Sequence, residues 1–331
     1  MFDFVGVIVL VALTALFGFL AVRAWGAKNK FLKWGGLALS GLLTLAVGAT
    51  LVVALVGFYK LNATYPNPVA DLKVEGTPEQ IARGERLAQF CKECHSPNQQ
   101  FPLIGRNFLA PAEGEGGEGG GPPPVGSLYA PNITPAHFKD WSDGEIVRAI
   151  REGVGKDGRA LIIMPSEVFR YLSDDDVQSL VAFLRSQPAA EPDTPESQLN
   201  TLGAIMAGAG MVPFTNQSPI TEPIVSPPPG TSPEYGKYLV SILYCQLCHG
   251  ENLGGLAEGN GPPPGPNLTT IVPEWTEAEF AALFREGKDP EGKTLGEEMP
   301  WKLLGESMTD DDLKAMYAYL HSLPPVEGPA K

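Results

Sequence analysis

Two long apolar runs without a charged residue stand near the start of the chain, at positions 4–22 and 34–59. At 1.5 Å per residue the first run spans about 28 Å, close to the thickness of a bilayer hydrocarbon core. A cleaved signal peptide is the alternative interpretation, but the basic residues follow this run instead of preceding it. The pattern therefore predicts a two-helix transmembrane hairpin over residues 1–60.

The connector between the two runs indicates how the hairpin is oriented. It is flanked by Trp25 and Trp34, and its only charges are basic, on Arg23, Lys28, Lys30 and Lys33. Loops rich in lysine and arginine stay in the cytoplasm, and tryptophans favour the membrane interface. We therefore expect a two-pass protein of the cell (inner) membrane, with everything after Lys60 on the periplasmic side and the lipid bilayer as a partner.

Helical periodicity returns in two blocks, residues 77–188 and 230–328, each preceded by a proline-containing linker, at 61–76 and 189–229. The last helix of each block has apolar residues at helical spacing: Val177, Leu180, Val181 and Leu184 in one, Leu313, Met316, Tyr317 and Leu320 in the other. No alternating strand pattern of useful length occurs. The fold class is predicted to be all-α, with two helical domains in tandem after the hairpin.

The two blocks repeat one plan. The matched strings are Pro131-Asn132-Ile133-Thr134 with Pro266-Asn267-Leu268-Thr269, Arg151-Glu152-Gly153 with Arg285-Glu286-Gly287, Met164-Pro165 with Met299-Pro300, and Ser173-Asp174-Asp175-Asp176 with Thr309-Asp310-Asp311-Asp312. Hydroxyl residues in capping position predict where the helices begin: Thr77, Ser142 with Glu145, Ser173, Ser232, Thr276 with Glu279, and Thr309. Such an internal repeat predicts two domains of the same architecture.

Charge and composition exclude some functional classes. The chain of 331 residues has 44% hydrophobic and 19% charged residues, which excludes overall disorder. Its net charge of −14 argues against nucleic acid as a partner. Of 24 basic and 38 acidic residues, five basic and one acidic lie in residues 1–60, so the remainder carries 19 against 37, a net charge of −18. This acidity indicates either a basic docking partner or simple solvation.

All four cysteines fall in two Cys-x-x-Cys-His strings, the attachment signature of c-type haem. On a helix, positions i, i+3 and i+4 share one face, so two thioethers and one imidazole can meet a single porphyrin. We predict two covalently bound haem c groups, each with its iron. The candidate attachment residues are Cys91 and Cys94, then Cys245 and Cys248, and the candidate iron-ligating histidines are His95 and His249.

Three other uses of the cysteines fit less well. A zinc ribbon needs two Cys-x-x-Cys pairs about 15–20 residues apart, whereas these pairs lie in separate repeats. A thioredoxin-like redox pair needs a βαβ setting that the pattern does not show. Simple disulfides leave both histidines without a purpose.

The sixth ligand of each iron is assigned to a methionine that recurs in the repeat, Met164 in one block and Met299 in the other. A thioether opposite histidine raises the reduction potential and closes the iron to substrates. Met308 is assigned to the core, because its counterpart is Leu172. The carbonyls of Pro131 and Pro266 compete with the Gly-Pro-Pro-Pro runs at 121–124 and 261–264 as partners of the second ring nitrogen of each histidine.

Two further segments have less specific patterns. The glycine-rich stretch at residues 113–121 lacks the residues of a phosphate-binding loop and is predicted to be a surface insertion. The stretch at residues 199–214 is apolar but too short to span a bilayer. It is predicted to be an interdomain helix or a contact with a partner or with the bilayer surface.

With these motifs, each block resembles a class I cytochrome c. The first, through residues 126–134, 141–145 and 151–153, is similar to the haem domains in cytochrome c subunits of membrane-bound bacterial alcohol and sugar-acid dehydrogenases. Those subunits generally carry three haems, a cleaved signal and a C-terminal anchor, whereas this chain has two haem strings and an N-terminal hairpin. The plan of membrane helices followed by two haem domains also resembles the dihaem subunit of cbb-type oxidases and cytochrome subunits of photosynthetic or quinol-oxidising complexes.

These observations predict a membrane-anchored dihaem cytochrome c that passes single electrons between the subunits of a membrane redox complex and another carrier. We expect no catalysis of its own, because haem with histidine and methionine ligands leaves no open site. The rivals are a dihaem peroxidase, which needs an exchangeable ligand on one iron, and a structural haem module within a large complex.

Overall fold

The computed structural model describes residues 4–109, 125–257, 259, 264–296 and 298–328, and it is mostly helical. The predicted insertion at residues 113–121 and the two Gly-Pro-Pro-Pro runs therefore lie wholly or largely outside the described residues. The α-helices are α1 Phe4–Trp25, α2 Lys30–Asn62, α3 Pro78–Leu87, α4 Lys92–His95, α5 Pro135–Phe138, α6 Asp143–Glu152, α7 Ser166–Phe169, α8 Asp174–Ser186, α9 Thr201–Gly208, α10 Pro233–Ile242, α11 Gln246–His249, α12 Leu268–Ile271, α13 Glu277–Glu286, α14 Trp301–Ser307 and α15 Asp310–Ser322.

Helices α1 and α2 form an antiparallel hairpin that is longer than the two apolar runs of the sequence. Both are long and apolar enough to cross a membrane by length and composition. Trp25 and Trp34 meet edge to face at the turn, with ring centroids 6.3 Å apart, and Lys33 Nζ lies 4.3 Å from the Trp25 ring centroid. The aromatic and basic residues that flank the connector thus form one cluster at that end of the hairpin.

The two helical blocks share one packing scheme, in which the first and last helices of each block cross at a glycine. A Cβ on Gly84 in α3 would lie 1.9 Å from the Ser179 carbonyl oxygen of α8, and a Cβ on Gly236 in α10 would lie 1.9 Å from that of Ala315 in α15. Only glycine allows the two backbones to approach so closely. The repeated architecture predicted from the sequence is confirmed.

The helix starts follow the predicted capping residues. The side chains of Ser142 and Thr276 accept hydrogen bonds from the backbone N–H groups of Glu145 and Glu279, which complete capping boxes. The hydroxyls predicted for the other starts also cap their helices: Thr77, Ser173, Ser232 and Thr309.

The described part of the chain also contains four short strands that were not predicted: β1 Arg106–Asn107, β2 Gly126–Ser127, β3 Tyr129–Ala130 and β4 Gln198–Leu199. Strand β1 pairs with β3, and β2 pairs with β4, both antiparallel. Two-residue strands are too short to show an alternating pattern in the sequence. Their pairing depends on tertiary contacts, which the sequence pattern does not show. The β2–β4 pair ties the interdomain segment to the first domain.

The two domains pack against each other through a polar cluster and a shared apolar core. Tyr238 of α10 donates a hydrogen bond from its hydroxyl to Asp176 Oδ2 (2.6 Å) and accepts one from the backbone N–H of Ser173 (2.9 Å). Asp176 also accepts two hydrogen bonds from Arg83, from Nε to Oδ1 at 2.8 Å and from Nη2 to Oδ2 at 2.9 Å. Because Tyr238 lies in the second block, this cluster joins the start of α8 to the second domain.

Candidate haem sites

Each Cys-x-x-Cys-His string lies in a short helical turn after the first long helix of its block. Cys91 ends a 3₁₀ turn and α4 continues from it to His95. Cys245 precedes α11, which ends at His249. The helical conformation needed to bring the two sulfurs and the imidazole to one face is therefore present in both copies.

Both candidate histidines are buried and held in the same way. His95 is 8% exposed and His249 is 7% exposed. Nδ1 of His95 lies 2.7 Å from the Pro131 carbonyl oxygen, and Nδ1 of His249 lies 2.8 Å from that of Pro266. A carbonyl accepts a hydrogen bond, so Nδ1 carries the proton and Nε2 has its lone pair free for a metal ion. Of the two alternatives predicted for this partner, the described contacts are those with Pro131 and Pro266.

Burial also favours the neutral form of the histidine and of the first cysteine in each string. It lowers the pKa of His95 and of His249, against the opposing effect of the hydrogen bonds to the proline carbonyls. It raises the pKa of Cys91 and of Cys245 to about 12. A neutral imidazole is the form that ligates a metal ion. A buried neutral thiol is a poor nucleophile and a poor zinc ligand, so a thioether suits this environment better.

The Pro-Asn-x-Thr strings hold the proline carbonyls in place. Asn132 is fully buried and donates from Nδ2 to the Ala190 carbonyl oxygen at 2.7 Å. Asn267 does the same toward Val326 at 2.8 Å. In each copy the asparagine Oδ1 also accepts a hydrogen bond from the backbone N–H of the threonine two residues on. The repeated string therefore links the carbonyl partner of each histidine to the segment that follows the last helix of the block.

The two methionine turns have the same local geometry. The N–H of Ser166 donates to the Met164 carbonyl oxygen at 2.7 Å, and the N–H of Trp301 donates to that of Met299 at the same distance. Both methionines are half-buried against the core. Met308 is only 4% exposed and belongs to the core, as predicted.

Sequence reasoning missed the residues on the other side of each histidine. Gly105 and Gly255 donate from their backbone N–H groups to the carbonyl oxygens of His95 and His249, both at 2.8 Å. Their spacing from the histidine differs between the copies, which hides the match. The residues that follow them differ in chemistry, Arg106 in one copy and Leu256 in the other. Arg106 Nε is buried without a hydrogen-bond partner among the described residues.

These donor sets suit haem c. Each site offers two cysteines and a buried imidazole with an available Nε2. At Gly265 a Cβ would lie 2.7 Å from Nδ1 of His249 and 2.9 Å from the Cys248 carbonyl oxygen. No group of three or more His, Cys, Asp or Glu side chains suited to a metal ion occurs within the described ranges. The haem interpretation therefore fits the residues better than a zinc site.

Two family models match the helical blocks. Residues 81–188 match the cytochrome c family, and residues 232–320 match the family described as cytochrome c oxidase, cbb3-type, subunit III. Together the matches cover both candidate haem sites and leave the hairpin outside.

Several characterised proteins are similar to this chain over most of its length. The cytochrome c subunit of the quinone-type alcohol dehydrogenase of Gluconacetobacter polyoxogenes is 29% identical over 288 residues, which cover 74% of this chain and 56% of that subunit. A dihaem c-type cytochrome of Cereibacter sphaeroides is 26% identical over 316 residues, which cover 86% of this chain and 99% of that protein.

A shorter match of 224 residues, 30% identical, covers 60% of this chain and 18% of a nicotinate dehydrogenase subunit of Pseudomonas putida. The chain thus spans little more than half the length of the alcohol dehydrogenase subunit and a much smaller part of the nicotinate dehydrogenase subunit. Two cytochrome c domains, two haem strings in matched environments and these similarities lead to one conclusion: the chain is a dihaem c-type cytochrome, an electron-transfer protein with two covalently bound haem c groups.

Proposed function

We propose that this cytochrome is the membrane-anchored electron-transfer subunit of a respiratory or photosynthetic redox complex, and that a membrane-bound dehydrogenase is the best-supported type. The similarity to the alcohol dehydrogenase cytochrome subunit supports this choice. The hairpin α1–α2 crosses the membrane, with the basic connector in the cytoplasm and both haem domains on the periplasmic side.

In this proposal Cys91 and Cys94 would hold one haem, and His95 and Met164 would ligate its iron. The second set is Cys245, Cys248, His249 and Met299. Bound haem supplies one-electron exchange between ferric and ferrous iron. The protein's own residues set the reduction potential of each haem and the distance between the haems. The carbonyls of Pro131 and Pro266 orient the imidazoles, and the methionine thioethers would favour the ferrous state.

The contacts between the domains support electron exchange inside the chain. An apolar crevice between the domains is lined by Phe90 and Cys91 of the first domain and by Ile242 and Leu243 of the second. Lys92 also pairs with Glu306 across this boundary, at 3.5 Å. The attachment segment of the first haem therefore packs on the helix that leads to Cys245, and the two haems act as consecutive carriers.

The linkers support an order for these carriers. The segment after α2 and the segment around α9 both bind the loop that precedes Met164, so the first domain lies next to the membrane. The first haem then exchanges electrons with the membrane-bound partner, and the second with the next carrier. The match of the second block to the cbb3-type family makes an oxidase the alternative complex.

Purification from native membranes in mild detergent tests this proposal. We expect the chain to be isolated with a dehydrogenase subunit, and we expect that enzyme's substrate to reduce both haems. Isolation with haem–copper oxidase subunits would favour the alternative complex. A high-spin haem that readily binds cyanide would contradict electron transfer without catalysis and favour the peroxidase.

A further inference from the structure

Helix α9 lies across one end of the hairpin, at the level of Gly6 and of residues 53–57. A Cβ on Gly57 would lie 1.7 Å from the Ala204 carbonyl oxygen, and a Cβ on Gly208 would lie 1.9 Å from that of Val53. A Cβ on Gly6 would lie 2.3 Å from Thr201 Oγ1. Close approach at small residues is how helices pack inside membranes. The hairpin and α9 therefore form one three-helix unit.

The depth of this contact follows from the length of the hairpin. Gly6 is 19 residues before Trp25 in α1, and Val53 is 19 residues after Trp34 in α2. At 1.5 Å per residue both intervals measure about 28 Å. Since the hydrocarbon core is about 30 Å thick, α9 lies at its boundary opposite the tryptophan cluster.

The chemistry of the segment agrees with this position. Residues 199–214 contain no charged residue and no histidine. Leu202 is 41% exposed and Met211 is 66% exposed, although the alanines Ala204 and Ala207 between them are buried against the hairpin. In α1, at a similar depth, Val5 is 67% exposed. The apolar surface of the hairpin thus continues onto the segment between the two haem domains.

Lys60 of α2 places a positive charge at the C-terminal end of α9, as expected at a membrane boundary. Lys60 Nζ donates to the Ala207 carbonyl oxygen at 3.3 Å. A cation stabilises the C-terminal end of a helix, and a lysine near a membrane surface extends its ammonium group toward the polar layer.

We propose that α9 is a third membrane element, which lies in the outer interfacial layer and contacts lipid acyl chains through Leu202 and Met211. This inference rests on the proposed crossing of the membrane by α1 and α2. Its consequence is that the first haem domain is fixed on the bilayer surface. Strand β4 before α9 pairs with β2, and Thr215 after it donates from its backbone N–H to the Leu161 carbonyl oxygen at 3.0 Å.

Photolabelling of the full-length haem-loaded protein in phosphatidylcholine vesicles tests this proposal. One phospholipid probe carries its photoreactive group next to the headgroup, and a second carries it at the end of the acyl chain. Labelled peptides are mapped by mass spectrometry. We expect the shallow probe to label the α9 peptide at least about fivefold more than the deep probe does, and both probes to label α1 and α2, because an interfacial helix lies within roughly 5–10 Å of the headgroup boundary.

The peptide around Val225 is the matched control, because this side chain is even more exposed, at 84%, but lies beside the start of α8. The double variant Leu202→Gln/Met211→Gln should lose most of the α9 labelling, and Val225→Gln should lose none. An unchanged haem absorption spectrum verifies that both variants are folded.

The outcomes separate the two proposals. Labelling of α1 and α2, with α9 labelled no more than the Val225 peptide, would overturn the membrane role of α9 and leave the anchor intact. Absence of labelling in α1 and α2 as well would overturn both.

Discussion

In the first haem domain, the loop before Met164 lies under two segments that come from outside the domain, whereas the matching loop of the second domain is covered by its own tryptophan. Gly153, at the end of α6, packs so closely against the Thr215 carbonyl oxygen that a Cβ on it would lie 2.2 Å from that oxygen. Its counterpart Gly287 packs against the Trp301 ring, where a Cβ would lie 2.3 Å from the nearest ring atom. Equivalent positions are thus occupied by a linker residue, Thr215, in the first domain and by a residue of the domain itself, Trp301, in the second.

The same contrast appears in the hydrogen bonds of these loops. The N–H of Tyr65 donates to the Gly158 carbonyl oxygen at 2.8 Å, and the N–H of Ile163 donates to that of Pro213 at 3.0 Å. In the second domain, the described part of the loop bonds to itself and its own block, as between Lys288 and Thr294. One haem-binding plan can therefore serve both a domain whose methionine loop is covered by the flanking linkers and a domain whose loop is covered by its own residues.

The largest expected effect concerns the methionines. If these methionines ligate the irons as proposed, Met164→Ala and Met299→Ala should each lower the midpoint potential of one haem by on the order of 100 mV or more and make that haem high-spin, because each removes a thioether that favours ferrous iron. Spectroelectrochemistry measures both changes. Met308→Ala is the control: it should cost about 2–5 kcal/mol of stability as a core cavity but leave both potentials in place. An unchanged spectrum in either of the first two variants would show that another residue is the sixth ligand.

The next effect tests the support of the first domain. Glu152 is 7% exposed and accepts hydrogen bonds from Asn67 Nδ2 at 2.6 Å and from the N–H of Ile220 at 2.9 Å, one from each linker. Its counterpart Glu286 is exposed. Glu152→Ala should lower the free energy of unfolding by about 1–3 kcal/mol, since it leaves buried donors unsatisfied. Glu286→Ala should change it by less than about 0.5 kcal/mol. Denaturant titration compares the two, and equal effects would contradict the asymmetry.

A third prediction concerns the boundary between the domains. Tyr238→Phe removes the hydroxyl shared by Asp176 and Ser173 and should cost about 1 kcal/mol. Because the bond joins two domains that also share an apolar core, its loss should weaken the coupling of their unfolding and broaden the calorimetric transition. The control is Tyr317→Phe, which removes a hydroxyl that bonds the Trp275 carbonyl oxygen within one domain. Calorimetry should show a transition of unchanged width for this control. A transition of the same width in both variants would mean that the tyrosine does not couple the domains.

The smallest expected effect arises from a difference in charge between the two sites, where Arg106 in the first corresponds to Leu256 in the second. Arg106 directly follows Gly105, whose N–H donates to the His95 carbonyl oxygen at 2.8 Å, and its charge opposes the larger effect of burial, which raises the pKa of Cys94. A positive charge disfavours the ferric state. Arg106→Leu should therefore lower the first haem's potential by roughly a few tens of millivolts, which corresponds to about 1 kcal/mol of screened Coulomb energy.

The reciprocal change Leu256→Arg should raise the potential of the second haem by a similar amount. Lys314→Leu removes one exposed cation that pairs with Asp311 and controls for net charge. If all three variants leave both potentials where they are, Arg106 does not tune its haem.

Much of the plan could be predicted from the residues alone. The hairpin, the tandem domains and the capped helices follow from local patterns, because helical periodicity and capping act within a few residues. The proline carbonyls were predicted as one of two alternatives, and the described contacts of His95 and His249 decide between them. The strands β1–β4 could not be predicted, since each pairs segments that are far apart in the chain. The glycines Gly105 and Gly255 could not be predicted because they lie at different sequence distances from their histidines.

What the sequence by itself determined is the chemistry: two Cys-x-x-Cys-His strings in a repeat specify two haem c groups, because attachment depends on residues within one helical turn. What only the tertiary structure decided is how the two copies differ. The linkers that bind the Met164 loop, the packing of α9 on the hairpin and the bond between Tyr238 and Asp176 all join residues far apart in the chain. Such contacts depend on how rigid elements meet in space, and no local pattern of apolar and polar positions records them.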